Sequence, residues 1–252
     1  MGLYAITGSA TGIGAAVRAG LEKQGHSVIA IDIVNAEVIA DLSTDEGRAS
    51  ATKAVLARAS DGLDGLIPCA GLGPQTEPWS TIVSVNFYGT ISLVRDLKDC
   101  LAARKGVVVI ISSNSASLPG LNQDLVDSML EGDEDKSRSL VLKLDGHNGY
   151  AGSKLALTRW MRRNSADWTR QGVRMNAVAP GATMTPLLQA GLDDPLYGEA
   201  IRNFPIPTGS FGSPEQIAAM VLFLLTPEAA FCSGAVFFVD GGTDAMIRPD
   251  SF

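Results

Sequence analysis

The sequence predicts a single α/β domain with a doubly wound parallel sheet, and three observations support this fold class. Short apolar segments typical of buried strands alternate with helix-like segments along the whole chain. A glycine-rich turn follows the first of these strands. The 252 residues, 46% of them hydrophobic, can fill one large core, and no linker, repeat or low-complexity tract divides them. We therefore expect one Rossmann-type domain over residues 1–252.

Composition limits the possible function classes. The formal net charge is −7 and no basic cluster is available to neutralise phosphates, which disfavours nucleic-acid binding. The three cysteines, Cys69, Cys100 and Cys232, are too widely spaced for a disulfide framework or a metal site. No apolar run has membrane-spanning length, and the first residues carry no charged leader. We expect a cytoplasmic protein with neither a metal nor a membrane partner.

The first element, the strand Leu3–Thr7, leads into a glycine-rich turn and then a helix. The first glycine of the turn permits a sharp change of direction, the second lets the backbone approach a pyrophosphate, and the third allows close helix packing. Free N–H groups at the start of the helix attract an anion. The sequence therefore predicts a dinucleotide site that includes Gly8, Ser9, Thr11, Gly12, Ile13 and Gly14.

The second strand, Ser27–Ile31, ends on Asp32, at the distance from the turn where dinucleotide folds place a carboxylate for the ribose hydroxyls. This carboxylate would repel a 2′-phosphate, and neither the turn nor the residues just after Asp32 contain Arg or Lys to bind one. NAD is therefore favoured over NADP. Asp41 and Leu42 close the adenine pocket in one interpretation, whereas in the other Asp41 caps a helix.

The next strand-like segment, Gly65–Gly71, ends in small residues that permit close approach of a nucleotide, namely Cys69, Ala70 and Gly71. Pro68 is unusual within a central strand, because it donates no ladder hydrogen bond. We interpret Cys69 as a small buried side chain rather than a reactive thiol, since the sequence shows no charged partner for it.

Two later strands place candidate groups at one edge of the sheet. Residues 106–111 form a buried-type strand that ends on Ser112 and Ser113. Ligands of open α/β sheets lie beyond the carboxyl ends of the strands, so the Ser113 hydroxyl can reach a substrate oxygen. Residues 174–179 form another strand, and the turn after it suits contacts with a nicotinamide amide through Pro180, Gly181, Thr183 and Thr185.

Tyr150 and Lys154 lie four residues apart in a helix-like segment, so their side chains share one helix face. An ammonium beside the phenol would lower the pKa of Tyr150 and produce a proton-transfer pair. The spacing alone is weak evidence, because an exposed helix with an ordinary polar face gives the same pattern. The glycine-rich turn and Ser113 occur in the order that one catalytic site needs, and they favour the catalytic interpretation.

The motifs Gly8-x-x-x-Gly12-x-Gly14, Asn86, Ser113, Tyr150-x-x-x-Lys154, Pro180-Gly181 and Asp240-Gly241-Gly242 follow one another along the chain. In this combination the sequence resembles the short-chain dehydrogenase/reductase family. More narrowly, residues 36–43, 69–76, 185–191 and 248–249 resemble the bacterial 3α-hydroxysteroid dehydrogenase/carbonyl reductases. Cys69 departs from the family pattern, because most members have Asn there, and the change removes a structural hydrogen bond rather than a catalytic group.

The resemblance implies a role for each member of a catalytic set. Tyr150 would be the general acid in carbonyl reduction and the base in alcohol oxidation, while Ser113 would hydrogen-bond the reacting oxygen. Lys154 would hold the cofactor ribose and shift the protonation equilibrium of Tyr150. Asn86 would anchor a water molecule that connects Lys154 with solvent. Alternatively, Asn86 is a buried polar residue that bonds helix backbone.

The expected activity is NAD-dependent interconversion of a hydrophobic ketone and a secondary alcohol, such as a hydroxysteroid or another bulky alicyclic or aromatic carbonyl. Residues 186–212 are rich in Leu, Ile, Phe and Pro, and form either an apolar substrate lid or a helix pair packed on the core. Two alternatives stay open. One is oxidation of a smaller aromatic or terpenoid alcohol by the same groups, and the other is a dinucleotide-sensing binding protein without turnover.

Residues 116–148 exceed what a strand-to-helix connection needs, and Leu125–Leu130 indicates an extra amphipathic helix within them. In many members of the resembled family, the helices that carry the Tyr–Lys pair and the Asn form a tetramer interface. The insertion would cover this face, and its acidic run Glu131–Asp135 would repel its own symmetry copy. We expect a homodimer; the alternative is a solvated loop without a role in assembly.

Overall fold

A parallel seven-stranded sheet forms the centre of the computed structural model, which describes residues 1–251. The strands are β1 (Leu3–Thr7), β2 (Ser27–Asp32), β3 (Val38–Ile39), β4 (Gly65–Pro68), β5 (Val107–Ile111), β6 (Arg174–Pro180) and β7 (Val236–Val239). Their spatial order is β3-β2-β1-β4-β5-β6-β7, and every neighbouring pair is parallel. The order reverses between β1 and β4, so a ligand crevice is expected outside the carboxyl ends of these strands.

Helices cover both faces of the sheet. They are α1 (Gly12–Lys23), α2 (Asp45–Arg58), α3 (Trp79–Val83), α4 (Thr90–Asp96), α5 (Lys98–Ala103), α6 (Gln123–Glu131), α7 (Glu134–Val141), α8 (Gly146–Arg170), α9 (Pro186–Asp193), α10 (Gly198–Arg202), α11 (Pro214–Leu225) and α12 (Thr243–Ile247). One hydrophobic cluster joins the sheet to α2, α4 and α8, and a second joins it to α1 and α11. Alternate residues of β5 enter the two clusters, which explains why the whole strand is apolar. The predicted doubly wound fold class is confirmed.

Pro68 is the last residue of β4, and this position explains how a central strand tolerates it. The pairing with β1 extends to Thr7 opposite Pro68, whereas the pairing with β5 ends earlier, at Leu66 and Val108. The missing N–H of Pro68 therefore removes no hydrogen bond from the β5 ladder.

The segment 116–148 contains two helices, α6 and α7, where the sequence analysis expected one. The first ends at Glu131, and the residue that caps it, Gly132, has a φ of 85° in the left-handed region. Asp133 then caps the second helix by accepting a hydrogen bond from the backbone N–H of Lys136. Gly132 thus ends the first helix and Asp133 begins the second. This boundary was not predicted because the residues Glu131–Asp135 were interpreted only as an acidic run.

The insertion is packed into the core. Leu125, Val126 and Met129 of α6 are fully buried, and a Cβ added to Gly152 of α8 would lie 3.6 Å from Leu125 Cδ2. The buried Arg48 of α2 donates two hydrogen bonds, of 2.7 and 2.8 Å, to the Glu134 carboxylate of α7. The alternative of a solvated loop is therefore wrong, while the role of the segment in assembly stays a prediction.

None of the helices within residues 1–251 is long and apolar enough to cross a lipid bilayer.

Candidate active site

The glycine-rich turn has the backbone geometry that its sequence predicts. Gly8 and Gly12 have φ values of 65° and 56°, which L side chains rarely adopt. A Cβ on Gly8 would lie 2.7 Å from the Cα of Ala70, and a Cβ on Gly14 would lie 2.1 Å from the Gly8 carbonyl oxygen. Helix α1 begins at Gly12, and Thr11 makes no capping hydrogen bond through its side chain. The turn therefore has room for a pyrophosphate, whose oxygens would accept hydrogen bonds from the first N–H groups of α1.

Asp32 lies at the end of β2 and also holds this turn. Its Oδ2 accepts a hydrogen bond of 2.9 Å from the backbone N–H of Ala10, and its Oδ1 accepts one of 2.7 Å from Ile33. The Ser9 hydroxyl donates to the Ile31 carbonyl at 3.2 Å, and Ile13 packs against the second core cluster. Each carboxylate oxygen of Asp32 keeps acceptor capacity for a ribose hydroxyl.

Asp41 and Leu42 have structural roles. The cap of α2 is Thr44, so the interpretation of Asp41 as a helix cap is wrong. Asp41 instead accepts a hydrogen bond of 2.9 Å from the backbone N–H of Ser43, while its side chain stays exposed. Leu42 is buried in the first core cluster. A contact of this pair with adenine stays a prediction.

The structure brings Ser113, Tyr150 and Lys154 together at the carboxyl edge of the sheet. Ser113 follows β5 and is buried, and the other two lie on α8. Lys154 Nζ donates a 2.8 Å hydrogen bond to the Ile111 carbonyl of β5, which fixes α8 against the strand that leads to Ser113. The Ser113 hydroxyl lies near enough to Tyr150 to lower the pKa of its phenol. One set of elements thus positions a serine hydroxyl, a phenol and an ammonium at the same edge.

Burial nevertheless raises the pKa of Tyr150 above its ordinary value, and the Ser113 hydroxyl opposes this only in part. The predicted lowering by Lys154 is not found. The reason is that Nζ is directed to the Ile111 carbonyl, and burial lowers the pKa of Lys154 itself to about 8. The phenol is consequently neutral at physiological pH and is available as a proton donor.

Asn86 occupies a π-helical turn, Ser84–Gly89, between α3 and α4. Its fully buried side chain accepts a 2.8 Å hydrogen bond from the Leu72 N–H, donates a 3.1 Å one to the Leu72 carbonyl and donates a 3.2 Å one to the Ser153 hydroxyl. These contacts join the loop after β4 to α8 beside Lys154. They support the structural interpretation of Asn86, while its role in holding a water molecule stays a prediction.

Cys69 lies next to the candidate site. Burial raises the pKa of its thiol to about 12. Contrary to the sequence interpretation, charged groups are near: Lys154 lowers this pKa and Asp32 raises it. Ala70 donates its backbone N–H to the Thr7 hydroxyl at 3.1 Å, and a Cβ on Gly71 would lie 3.5 Å from Lys154 Nζ. This segment therefore separates the nucleotide end of the crevice from the catalytic groups.

The turn after β6 is fixed by its own residues. Pro180 ends the strand, and a Cβ on Gly181 would lie 2.7 Å from the Cα of Asp240. Thr183 donates its hydroxyl to the Gly181 carbonyl at 2.9 Å. Thr185 caps α9 and lies over the glycine-rich turn, because a Cβ on Gly12 would lie 3.2 Å from its Cγ2. Contacts of these residues with nicotinamide stay predictions.

Ser115 is a further residue of the site that the sequence motifs do not indicate. Its hydroxyl donates a 2.9 Å hydrogen bond to the Ser113 Oγ, and its backbone N–H donates another of 3.2 Å to the same atom. The available signal was the Ser-x-Ser spacing directly after a strand, which is typical of a short turn closed by a serine hydroxyl.

Fold and site together define a Rossmann-type α/β protein with a dinucleotide crevice and a Ser–Tyr–Lys set at its edge. A family model described as short chain dehydrogenase matches residues 3–124, and one described as enoyl-(acyl carrier protein) reductase matches residues 137–244. The chain is 48% identical to a 3-alpha-hydroxysteroid dehydrogenase/carbonyl reductase of Comamonas testosteroni over the full length of both proteins. It is 31% identical to 2-(S)-hydroxypropyl-CoM dehydrogenase 3 of Xanthobacter autotrophicus, over 97% of each chain.

Among solved structures, the 3-alpha-hydroxysteroid dehydrogenase of Pseudomonas sp. B-0831 in complex with NADH is 45% identical, with a TM-score of 0.97 over 99% of this chain and 100% of that one. Levodione reductase shares the fold at 23% identity, with a TM-score of 0.78 over 96% of this chain and 97% of that one. The chain belongs to the short-chain dehydrogenase family.

Proposed function

We propose that this protein is an NAD-dependent oxidoreductase that interconverts a hydrophobic ketone and a secondary alcohol, with a hydroxysteroid or a similar bulky carbonyl compound as substrate. The observation that carries the proposal is the convergence of Ser113, Tyr150 and Lys154 on one sheet edge beside the Asp32 crevice. The full-length similarity to proteins named for 3α-hydroxysteroid dehydrogenation, one of them solved with NADH, supports both cofactor and substrate class.

In the proposed mechanism this chain positions the reactants and moves one proton. Ser113 holds the reacting oxygen, and Tyr150 delivers a proton to it in reduction or removes one in oxidation. Lys154, fixed to the Ile111 carbonyl, holds the cofactor ribose. Bound NAD(H) supplies the hydride chemistry. The turn Gly8–Gly14 and Asp32 bind the other end of the dinucleotide.

A lid over residues 186–212 completes the proposed substrate site. None of the apolar side chains of this segment belongs to either core cluster, and Leu196 is 73% exposed. This favours a lid over a helix pair packed on the core. Thr183 bridges Gly212 at the base of the segment. Its last part is also fixed, because the Thr208 N–H donates to the Gly241 carbonyl at 3.1 Å and the Thr243 hydroxyl donates to the Pro205 carbonyl at 3.0 Å. Lid movement is therefore confined to the part of the segment before Pro205.

The lid contacts the catalytic elements at two places. Gln75, in the loop after β4, donates a 3.4 Å hydrogen bond to the Leu187 carbonyl of α9. The Tyr197 hydroxyl lies at the start of α8, since a Cβ on Gly146 would be 3.0 Å from it. These contacts place the lid beside α8, the helix that carries Tyr150. An alicyclic substrate bound between the lid and this helix would be shielded from water.

We expect Leu188→Ser and Phe204→Ser to raise KM for a bulky alicyclic ketone by about tenfold, and KM for a small ketone much less, because the lost apolar contact scales with ligand size. Steady-state kinetics with a ketosteroid and a small cyclic ketone measure the difference. Leu196→Ser is the matched control, since this leucine of the same segment faces solvent. Equal effects on both ketones would indicate packing damage instead of a lid.

The proposed activity is tested by following NADH absorbance with a panel of ketosteroids, bulky carbonyls, and small aromatic and terpenoid substrates. Turnover of the bulky alicyclic compounds with the highest kcat/KM would support the proposal. A preference for the small aromatic or terpenoid alcohols would favour the first alternative. NADH binding without turnover of any substrate would favour the dinucleotide-sensing protein, against which the buried Ser113–Tyr150 contact argues.

We further propose that the protein is a cytoplasmic homodimer. All three cysteines are free, which agrees with a reducing compartment. The insertion covers α3 and α8, because Val141 of α7 lies 3.1 Å from a Cβ built on Gly149. The far edge of the sheet, at β7, exposes apolar side chains on which a second copy can dock. They are Phe223, Phe231, Phe238, Met246 and Ile247.

Light scattering tests this assembly. We expect the intact protein to be a dimer, and a protein with residues 121–144 replaced by a short Gly/Ser linker to form tetramers. The shortened protein must also carry Arg48→Met, because the deletion removes Glu134 and would leave the buried guanidinium with only the exposed Asp45 as its ion-pair partner. Phe223→Glu in the intact protein is expected to give monomers. A tetrameric intact protein, or a folded shortened protein that stays dimeric, would contradict the blocking role of the insertion.

A further inference from the structure

The hydrogen bonds that Ser113 accepts from Ser115 determine where its own hydroxyl proton can be donated. A serine hydroxyl has one proton to donate and two lone pairs that accept. Both acceptor positions of Ser113 Oγ are filled by Ser115, one by its backbone N–H at 3.2 Å and one by its hydroxyl at 2.9 Å. The Ser113 proton is therefore free to be donated away from the 3₁₀ turn.

The groups on that other side of Ser113 are the ones that react. Tyr150 lies near enough for the Ser113 hydroxyl to lower the pKa of its phenol. Because Ser115 fills both acceptor positions of Ser113 Oγ, the Ser113 proton is available to this side. We propose that Ser115 is a positioning residue that fixes the Ser113 hydroxyl as a donor toward Tyr150 and the reacting oxygen. This proposal rests on the function proposed above, because the direction of the Ser113 proton affects catalysis only if the protein turns over a substrate.

The Ser115 hydroxyl is not needed to close the turn in which it lies. The turn Asn114–Ser117 is already capped by the bond from the Ser115 N–H to Ser113. It is also held by α12, because the Ser117 hydroxyl lies 2.7 Å from the Asp244 carboxylate. The Ser115 hydroxyl adds a second donor to an atom that already has one, which increases the polarity of the Ser113 O–H.

Two further contacts keep this arrangement rigid. Asn114 donates a 3.4 Å hydrogen bond to Asp240, and Arg248 pairs with Asp244 at 2.8 Å. Asn114 and Asp244 are both buried, so the turn has fixed partners in the segment Asp240–Arg248. The distance between the two serine oxygens is therefore set by the fold and not by a substrate.

Two measurements on Ser115→Ala test the proposal. In steady-state kinetics we expect kcat to fall about five- to tenfold, the size of one lost hydrogen bond, with KM for NADH changed less than about twofold. The apparent pKa in the pH profile of alcohol oxidation should rise. Independently of turnover, an ultraviolet titration of phenol ionisation in the protein alone should show a higher pKa for Tyr150. Subtracting the same titration of Tyr150→Phe removes the signals of Tyr4, Tyr88 and Tyr197.

Matched variants distinguish this role from a structural one. Ser115→Thr keeps the donor and should restore both readouts. Ser117→Ala removes a hydroxyl from the same turn without touching Ser113, and should leave the pKa of Tyr150 unchanged. An unchanged Tyr150 titration in Ser115→Ala, or equal losses in the two alanine variants, would overturn the proposal. If the wild-type protein turned over no carbonyl substrate, the proposed function would fail while the titration still measured the effect of Ser115.

Discussion

Tyr150→Phe is expected to reduce kcat for both ketone reduction and alcohol oxidation by about a thousandfold, because it removes the group that exchanges the proton. The NADH dissociation constant should change less than about twofold, since phenylalanine keeps the ring and α8 in place. Initial rates and a fluorescence titration with NADH measure the two effects. Lys154→Ala is the comparison variant, and it should weaken both turnover and NADH binding. Similar rates in wild type and Tyr150→Phe on any good substrate would remove Tyr150 from the mechanism.

The pH dependence of the two directions should differ, because the pKa of Tyr150 is raised by burial. A raised pKa keeps the phenol protonated through neutral pH, so carbonyl reduction should be constant there and decline only under alkaline conditions. Alcohol oxidation needs the phenolate, and its rate should increase with pH over the same range. Rate profiles in both directions, recorded at saturating cofactor, would show this. A reduction rate that already declines below neutral pH would contradict the assignment.

The second large effect is expected at Asp32. Asp32→Ala should weaken NADH binding about ten- to a hundredfold, since it removes charged acceptors for the ribose hydroxyls. It should also narrow the preference for NADH over NADPH, because a repulsive charge is lost. Part of the loss comes from the turn itself, where the N–H of Ala10 loses its acceptor. Dissociation constants for both cofactors provide the measurement.

Asp32→Asn separates these two contributions. The amide oxygen can still accept from the Ala10 N–H, while the charge and the acceptor for the exposed Ile33 N–H are lost. The contact that holds the turn should therefore survive while discrimination against NADPH decreases. Adding Ile33→Arg to Asp32→Ala should shift the preference further toward NADPH. An unmodified protein that used NADPH at least as well as NADH would show that Asp32 does not select the cofactor.

Local patterns predicted much of the fold and the order of the candidate site. The Gly8–Gly14 turn could be predicted because positive φ values and close backbone approaches demand glycine. The Tyr150–Lys154 spacing could be predicted because residues four apart share a helix face. Strands such as β5 were evident from continuous apolar runs that fill both faces of a parallel sheet.

Features that depend on distant partners could not be predicted in this way. The direction of Lys154 depends on a free carbonyl at Ile111, 43 residues away in sequence. The π-helical turn at Asn86 is held by Leu72 and Ser153, which lie on other elements. The burial of Arg48 depends on Glu134, 86 residues away in sequence, which α7 places against its guanidinium. Tertiary contacts decide each of these, and periodicity carries no information about them.

The raised pKa of the Cys69 thiol affects how readily the protein is oxidised. Peroxides and alkylating agents attack the thiolate form of cysteine. With a pKa raised to about 12, Cys69 stays protonated throughout the physiological pH range, although it lies beside an ammonium. The Cys69 thiol therefore adds no redox-sensitive centre beside the catalytic groups.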